Sequence, residues 1–195
     1  RGMGLDPRIG PSFLHAGIGY GGSCFPKDVA AFEAISHALG YDFRLLSEVR
    51  AINRDAGERF IKKVQEELWI VKGKTIAAFG LSFKPDTDDI RESVAIEVIR
   101  RLAGMGARVR AYDPKAVEAA RKVLPKEVTF SRSPYEAARG ADCALLLTEW
   151  PEFAKLDLEK LKRGMEHATL IDGRNLYDPA KMRELGFTYR SVGRP

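Results

Sequence analysis

The sequence is poor in the residues that build metal sites and disulfide scaffolds. Its 195 residues include two cysteines, Cys24 and Cys143, and three histidines, His15, His37 and His167, all widely separated. A zinc site or a stapled framework needs several such residues at short fixed spacing, so neither is expected, and no metal is assigned. Long apolar runs are also missing. None approaches the roughly 20 residues a membrane helix needs, and no signal-peptide pattern opens the chain, so no membrane partner is expected. Blocks of Lys or Arg are absent as well. The net charge of +5 is spread among interspersed acids, which argues against nucleic acid and for a solvated surface with room for anionic ligands. A reducing, cytoplasmic location fits the sparse cysteines. There is no internal repeat and no low-complexity segment.

What is present changes character once along the chain. Residues 5–25 are rich in Gly, Pro and Ser and predict a loop. Ser23 or Cys24 as a cap, then Pro26 and Asp28, predict a helix start, with a stop at Gly40. Over residues 43–69, Leu45, Val49, Ile52, Ala56, Phe60, Val64 and Leu68 recur every three or four positions without proline. That predicts a helix about 40 Å long at roughly 1.5 Å per residue, which outreaches one small core and suits a domain bridge or a second copy of itself. From Lys74 onward, strand-like runs at 75–79, 108–112, 128–130, 143–148, 169–172 and 187–189 alternate with helical stretches at 93–105, 114–123, 135–139, 158–161 and 179–185. The expected fold class is therefore α/β. Residues 1–72 form a loop and helical linker with a long central helix, and residues 73–195 form a Rossmann-like, doubly wound parallel sheet domain. Ligands in such sheets bind along the carboxyl edge of the strands. Arg1-Gly2-Met3-Gly4 reads like a helix end with glycine at the cap, so the chain is expected to be a fragment of something longer.

The two cysteines have different settings. Cys143 lies in the apolar run Ala141-Asp142-Cys143-Ala144-Leu145-Leu146-Leu147 and is expected to pack as a small buried hydrophobe. Cys24 follows four glycines at 17, 19, 21 and 22, which let a backbone approach a ligand closely and present N–H groups to it. It opens a helix, with Lys27 three residues on. The helix dipole and a cation both favour thiolate, the nucleophilic form. Asp28 is one turn beyond and can share its face. A thiolate beside a carboxylate can form a thioester and then activate water against it. The same local chemistry also admits a flexible surface loop with an incidental cysteine.

Further along, residues 80–85 occupy the first strand-to-helix turn without a GxGxxG fingerprint. Lys84 there can neutralise a diphosphate, aided by the N–H groups opening the next helix, or it can be a solvated charge. The acidic run at 86–89 lacks calcium-loop spacing and reads as a solvated turn. Asp113 ends the second strand, where an acid can meet a ribose, but Pro114 makes a structural turn and cap at least as good a reading.

The segment Gly19-Tyr20-Gly21-Gly22-Ser23-Cys24-Phe25-Pro26-Lys27-Asp28 resembles the active-site signature of the UDP-glucose/GDP-mannose dehydrogenase family. The resemblance extends, in family order, to Asp6-Pro7-Arg8-Ile9-Gly10, Phe83-Lys84-Pro85-Asp86-Thr87-Asp88-Asp89-Ile90-Arg91-Glu92-Ser93, Tyr112-Asp113-Pro114, Thr148-Glu149-Trp150 and Asp172-Gly173-Arg174-Asn175. It implies a two-step oxidation of a sugar C6 alcohol to a carboxylate with NAD as cofactor. Cys24 is then the nucleophile and Asp28 an acid/base residue. Phe13, Leu14, His15, Ala16, Gly17 and Gly21 belong to a loop that wraps the nucleotide sugar. Phe83, Lys84 and Arg174 make further substrate contacts, and Arg8 reaches the substrate of a neighbouring subunit. Lys27 and Arg91 contact NAD. The resemblance also implies a UDP-sugar substrate, a homodimer built on the long helix, and a preceding NAD-binding domain that this sequence does not contain. The glycine-rich signature looks most like UDP-glucose enzymes, with GDP-mannose and N-acetylated UDP-sugar enzymes as alternatives. A fragment so constituted is expected to bind UDP-sugar without turnover. A non-catalytic UDP-binding module is the competing class.

Overall fold

The computed structural model describes residues 2–194. The helix end expected at Arg1 begins outside them, and Met3–Leu5 make one turn of 3-10 helix. Helix α1 (Phe25–Ala38) starts directly after Cys24, with Pro26 in its first turn and Asp28 near its positive end. Cys24 is the capping residue, but its side chain makes no capping hydrogen bond, and its backbone is already right-handed rather than extended. The helix stops at Leu39 and Gly40, where φ is +81°.

Helix α2 (Arg44–Leu68) is the long element anticipated from the apolar stripe. The stripe is not uniformly buried. Phe60, Ile61 and Val64 are buried, while Leu45 and Ile52 are 65% and 58% exposed. The reason is reach: the sheet lies under only the last turns of a 25-residue helix. The first turns pack on α1 alone, through Glu33 accepting from Ser47 and Arg50 and through an edge-on contact of Phe32 with Phe43.

The remainder is a six-stranded, wholly parallel sheet in the order β3-β2-β1-β4-β5-β6. Its strands are β1 (Thr75–Phe79), β2 (Arg108–Tyr112), β3 (Thr129–Phe130), β4 (Cys143–Leu146), β5 (Thr169–Asp172) and β6 (Thr188–Ser191). The crossovers carry α3 (Val94–Gly104), α4 (Val117–Arg121), α5 (Pro134–Ala138), α6 (Leu158–Gly164) and α7 (Pro179–Glu184). Strand alternation sorts the core into two layers. Ile76 and Ala78 of β1 face Phe60, Ile61 and Val64 of α2 and Ile99 and Leu102 of α3. Ala77 and Phe79 face Leu161, Met182 and Phe153 on the other side. Cys143 lies in the first layer with no exposure, and burial pushes its thiol pKa up.

Most element bounds expected from sequence hold within one or two residues. The helix expected at 114–123 begins three residues later: Asp113 closes a turn over 113–116 through the N–H groups of Lys115 and Ala116, at 2.8 Å each, and Ala116, at φ −90° and ψ 2°, is the capping residue. The strand expected at 143–148 ends two residues early, where the chain turns and Trp150 N–H donates back to Thr148 O at 3.0 Å.

Two measurements test this core. Phe60→Ala should lower unfolding free energy by about 3–5 kcal/mol, and Ile52→Ala by under about 0.5 kcal/mol, in denaturant melts at dilute protein. Equal losses would contradict the split stripe. Asp142 joins Lys74 Nζ and the Thr75 N–H, both at 2.8 Å. Burial raises its carboxyl pKa, but those bonds and the charge of Lys74 more than offset this and hold it below the usual value. Its stabilising contribution is complete above the unfolded carboxyl value of about 3.9 and is lost as pH falls through the depressed folded value. Asp142→Asn should therefore flatten the fall in stability between about pH 5 and about pH 1.

Candidate functional site at the carboxyl edge of the sheet

Strand order reverses between β1 and β4, and the turns leaving those strands meet there. In open α/β sheets this crevice is where ligands bind. The β1 turn, however, is filled from within. Asp113 Oδ2 accepts from Leu81 N at 2.7 Å, Ser82 N at 3.2 Å and Trp150 Nε1 at 3.1 Å. Those of Leu81 and Ser82 are the N–H groups a dinucleotide fold would offer to a pyrophosphate. Gly80, at φ +93°, has Thr148 where a Cβ would stand. Asp113 is thus a turn-forming carboxylate, 3% exposed, and not a ribose ligand.

The glycine-rich loop lies over the crevice and touches three of its walls. A Cβ on Gly17 would sit 3.0 Å from Arg174 NH1. Ile18 is wholly buried in the first core layer, against Gly173. Gly21 faces the carbonyl of Glu92, leaving no space for a side chain, and the ring of Phe83 covers Gly22. Gly22 N–H donates to Arg91 O at 3.0 Å. On the helix side, Asn53 of α2 pairs with Tyr20, accepting from its N–H at 2.8 Å and donating to its carbonyl at 3.0 Å.

Arg174 ties loop to sheet. Its Nε donates to Leu147 O at 2.8 Å and its NH1 to Gly19 O at 3.2 Å. The turn that carries it is shaped by Asp172, fully buried, which accepts from the N–H groups of Arg174, Leu176 and Tyr177 and from the Tyr189 hydroxyl. Burial lowers the Arg174 guanidinium pKa, partly offset by Glu149 and Asp172. Glu149 Oε2 lies 3.3 Å from Arg174 Nε, yet that N–H is aimed at Leu147 O. The oxygen therefore has a charged neighbour but no hydrogen bond. Three of the five guanidinium donors remain unused by the protein.

Cys24 emerges from this braced loop, exposed, at the start of α1. Its carbonyl accepts from Asp28 N–H at 2.8 Å, which sets Asp28 one helical turn on. Lys27 Nζ is 3.4 Å from Asp28 Oδ1, and both side chains are largely exposed. Arg91 forms a bidentate pair with Asp89, with NH2 to Oδ2 at 2.7 Å. That pairing is the main reason its guanidinium is raised above its ordinary pKa. Ser23, Lys27, Asn53, Arg91 and Ser93 line the loop end of a cleft of about 850 Å³ that runs between α2 and α3.

Other sequence-selected residues stand apart. Arg8 folds back on Asp6, with NH2 to Oδ2 at 2.7 Å. Phe13 is 92% exposed at φ +62°, and Leu14, His15 and Ala16 are exposed beside it. Lys84 is exposed with Nζ 5.4 Å from the Phe83 ring centroid. Among the described residues no group of His, Cys, Asp and Glu is arranged to hold a metal ion, and no helix is long and apolar enough to cross a membrane. Asn53 was not anticipated from sequence. Its signal was a polar residue set among the apolar positions of α2.

The UDP binding domain of the UDP-glucose/GDP-mannose dehydrogenase family matches residues 77–179, and the central domain of the same family matches residues 1–55. The chain is 42% identical over 194 residues to a UDP-glucose 6-dehydrogenase of Bacillus subtilis, covering 100% of this chain and 42% of that protein. It is 45% identical over 203 residues to a UDP-glucose 6-dehydrogenase of Pseudomonas aeruginosa, covering 100% and 44%. Among solved structures, a UDP-glucose dehydrogenase from Pyrobaculum islandicum superposes with a TM-score of 0.87 at 36% identity, over 100% of this chain and 42% of that one. The chain thus spans less than half the length of these relatives. With both family domains matched in order along its length, the chain belongs to the UDP-glucose/GDP-mannose dehydrogenase family.

Proposed function

We propose that this chain supplies the nucleophile and the nucleotide-sugar site of an NAD-dependent UDP-glucose 6-dehydrogenase. Residues 1–72 would contribute the active-site loop and the dimer-forming helices, and residues 73–195 the UDP-sugar-binding domain. One observation carries the reading: an exposed thiol at a helix start, on a glycine loop braced against the switch point of a parallel sheet.

The residues divide the work by chemistry. Lys84 and the free donors of Arg174 suit a diphosphate, and Phe83 offers an apolar face beside Gly22. Phe13, Leu14, His15, Ala16, Gly17 and Gly21 would wrap the sugar. The thiolate of Cys24 would add to the C6 aldehyde as a thiohemiacetal, whose oxidised form is a thioester on the same sulfur. Asp28 would take a proton from the water that cleaves the thioester, releasing the carboxylate and regenerating the thiol.

NAD does not fit the first turn of this sheet, whose N–H groups already serve Asp113. It does fit the chemistry of the 850 Å³ cleft, where Lys27 and Arg91 are cationic groups at one wall. When bound, NAD would supply the hydride acceptor, one molecule for each of the two hydrides removed at the sugar carbon. Its main seat would come from the part of the relatives that this chain does not span. Positioning of reacting groups can supply roughly 7–11 kcal/mol of a barrier, so the chain alone should bind and not turn over.

The exposed apolar residues Leu45 and Ile52 of α2, with Phe32 and Ile35 of α1, support pairing with a second copy. Arg8 would then serve the neighbouring site.

Calorimetry should detect UDP binding by the chain alone, weakened about tenfold in Lys84→Ala, the size of one charge-assisted contact. No NADH should accumulate. Robust NADH formation, or binding insensitive to Lys84, would contradict the reading. In the intact enzyme, Cys24→Ser should abolish release of the sugar acid while leaving UDP-glucose affinity within about threefold. Near-normal turnover would remove Cys24 from the mechanism. Light scattering should report a dimer, and a strictly monomeric chain at high concentration would overturn that part.

A further inference from the structure

Asn53 is the polar member of the stripe that runs along α2 from Val49 to Phe60. Its carboxamide meets one residue's backbone at both ends. Oδ1 accepts from Tyr20 N–H at 2.8 Å, and Nδ2 donates to Tyr20 O at 3.0 Å. Two opposed bonds fix the position and the rotation of that residue's backbone, as a strand partner would. A neutral carboxamide is suited to this, because it carries a donor and an acceptor side by side. Gly19 records how close the approach is: φ is +111°, and a Cβ there would lie 2.8 Å from Asn53 Oδ1.

The constraint passes from Tyr20 to the thiol by two routes. The Tyr20 ring meets Phe25 edge-on, with centroids 6.1 Å apart and planes at 86°. Phe25 is the first residue of α1 and comes directly after Cys24. Along the backbone, Gly22 is anchored to Arg91 O, so the short path from Tyr20 to Cys24 is held at one end by α2 and in its middle by the turn before α3. Without Asn53, the first of these anchors is gone, and the placement of Ser23 and Cys24 rests on the Gly22 anchor alone.

We propose that Asn53 is a positioning residue for the Cys24 nucleophile, coupling α2 to the loop that presents the thiol. The proposal rests on the reading of Cys24 given above. Asn53 acts through Tyr20 and not on substrate. Its neighbour Ile52 is exposed, so the clamp lies next to the face that would pair with a second copy.

The test uses Asn53→Ala and Asn53→Asp, each with two readouts. Hydrogen exchange of the chain alone should rise roughly 30-fold over residues 20–24, the equivalent of two ordinary hydrogen bonds, while amides of β1, β4 and β5 keep parental rates. Asn53→Asp should recover toward the parent, compared at the same pH, as pH falls through the carboxyl range near about 4, because a protonated carboxyl can donate to Tyr20 O as well as accept. This recovery keeps the test informative if the alanine variant folds poorly. In the intact enzyme, kcat should fall by about 10- to 30-fold, with KM for UDP-glucose within about threefold of the parent. Unchanged exchange at 20–24, exchange that rises equally through the sheet, or an unchanged kcat would each overturn the proposal. A parent enzyme whose turnover survives Cys24→Ser would instead sink the reading of Cys24, and the exchange arm would still decide whether the clamp holds the loop.

Discussion

Gly21 has no room for a side chain, and much of the candidate site depends on that. Its α-carbon is pressed against the carbonyl of Glu92, and its neighbour Gly22 lies under the ring of Phe83. Any Cβ would lift the loop off the sheet edge, and Cys24 with it. The four glycines are therefore less a device for flexibility than for close approach. Once the loop is seated, backbone hydrogen bonds to Arg91 and side-chain bonds from Asn53 and Arg174 hold it from three directions.

The sheet beneath is organised by two buried carboxylates that serve backbone N–H groups. Asp113 closes the turn after β1, and Asp172 shapes the turn after β5. The two oxygens of a carboxyl group can accept from several N–H groups, so each side chain satisfies several turn donors at once, which makes its burial tolerable. The consequence is a division of roles. The turn that a dinucleotide-binding sheet keeps open is shut here, and the open donors lie instead on Lys84 and Arg174. On the proposed reading, a fold that shares the strand order of dinucleotide-binding domains is thereby turned toward a different anionic ligand.

Much of the architecture was legible in the sequence, and the failures have definite causes. Alternating strands and helices after Lys74 pointed to the parallel sheet because buried strands and amphipathic helices have distinct periods. The stripe on α2 revealed the helix but not its uneven burial, since periodicity says which face is apolar and nothing about how far the sheet extends beneath it. The glycine-rich signature, Cys24 and Arg174 were visible as motifs. The bonds that make them a site were not. Asn53 reaches Tyr20 across 33 residues, and Arg174 reaches Gly19 across 155. Pairings at such separations leave no local pattern. Helix α4 is shorter for a third reason: the turn that Asp113 closes over Lys115 and Ala116 occupies the residues where the helix was expected to begin.

On the proposed function, the braced glycine loop and the carboxyl edge of the sheet form one nucleotide-sugar site facing Cys24. A crystal structure of the chain with UDP-glucose tests it most directly. The account predicts a diphosphate between Lys84 and Arg174 and a glucose C6 directed toward the Cys24 sulfur. A diphosphate seated on the N–H groups of Leu81 and Ser82, with Asp113 displaced, or a sugar pointing away from Cys24, would contradict it.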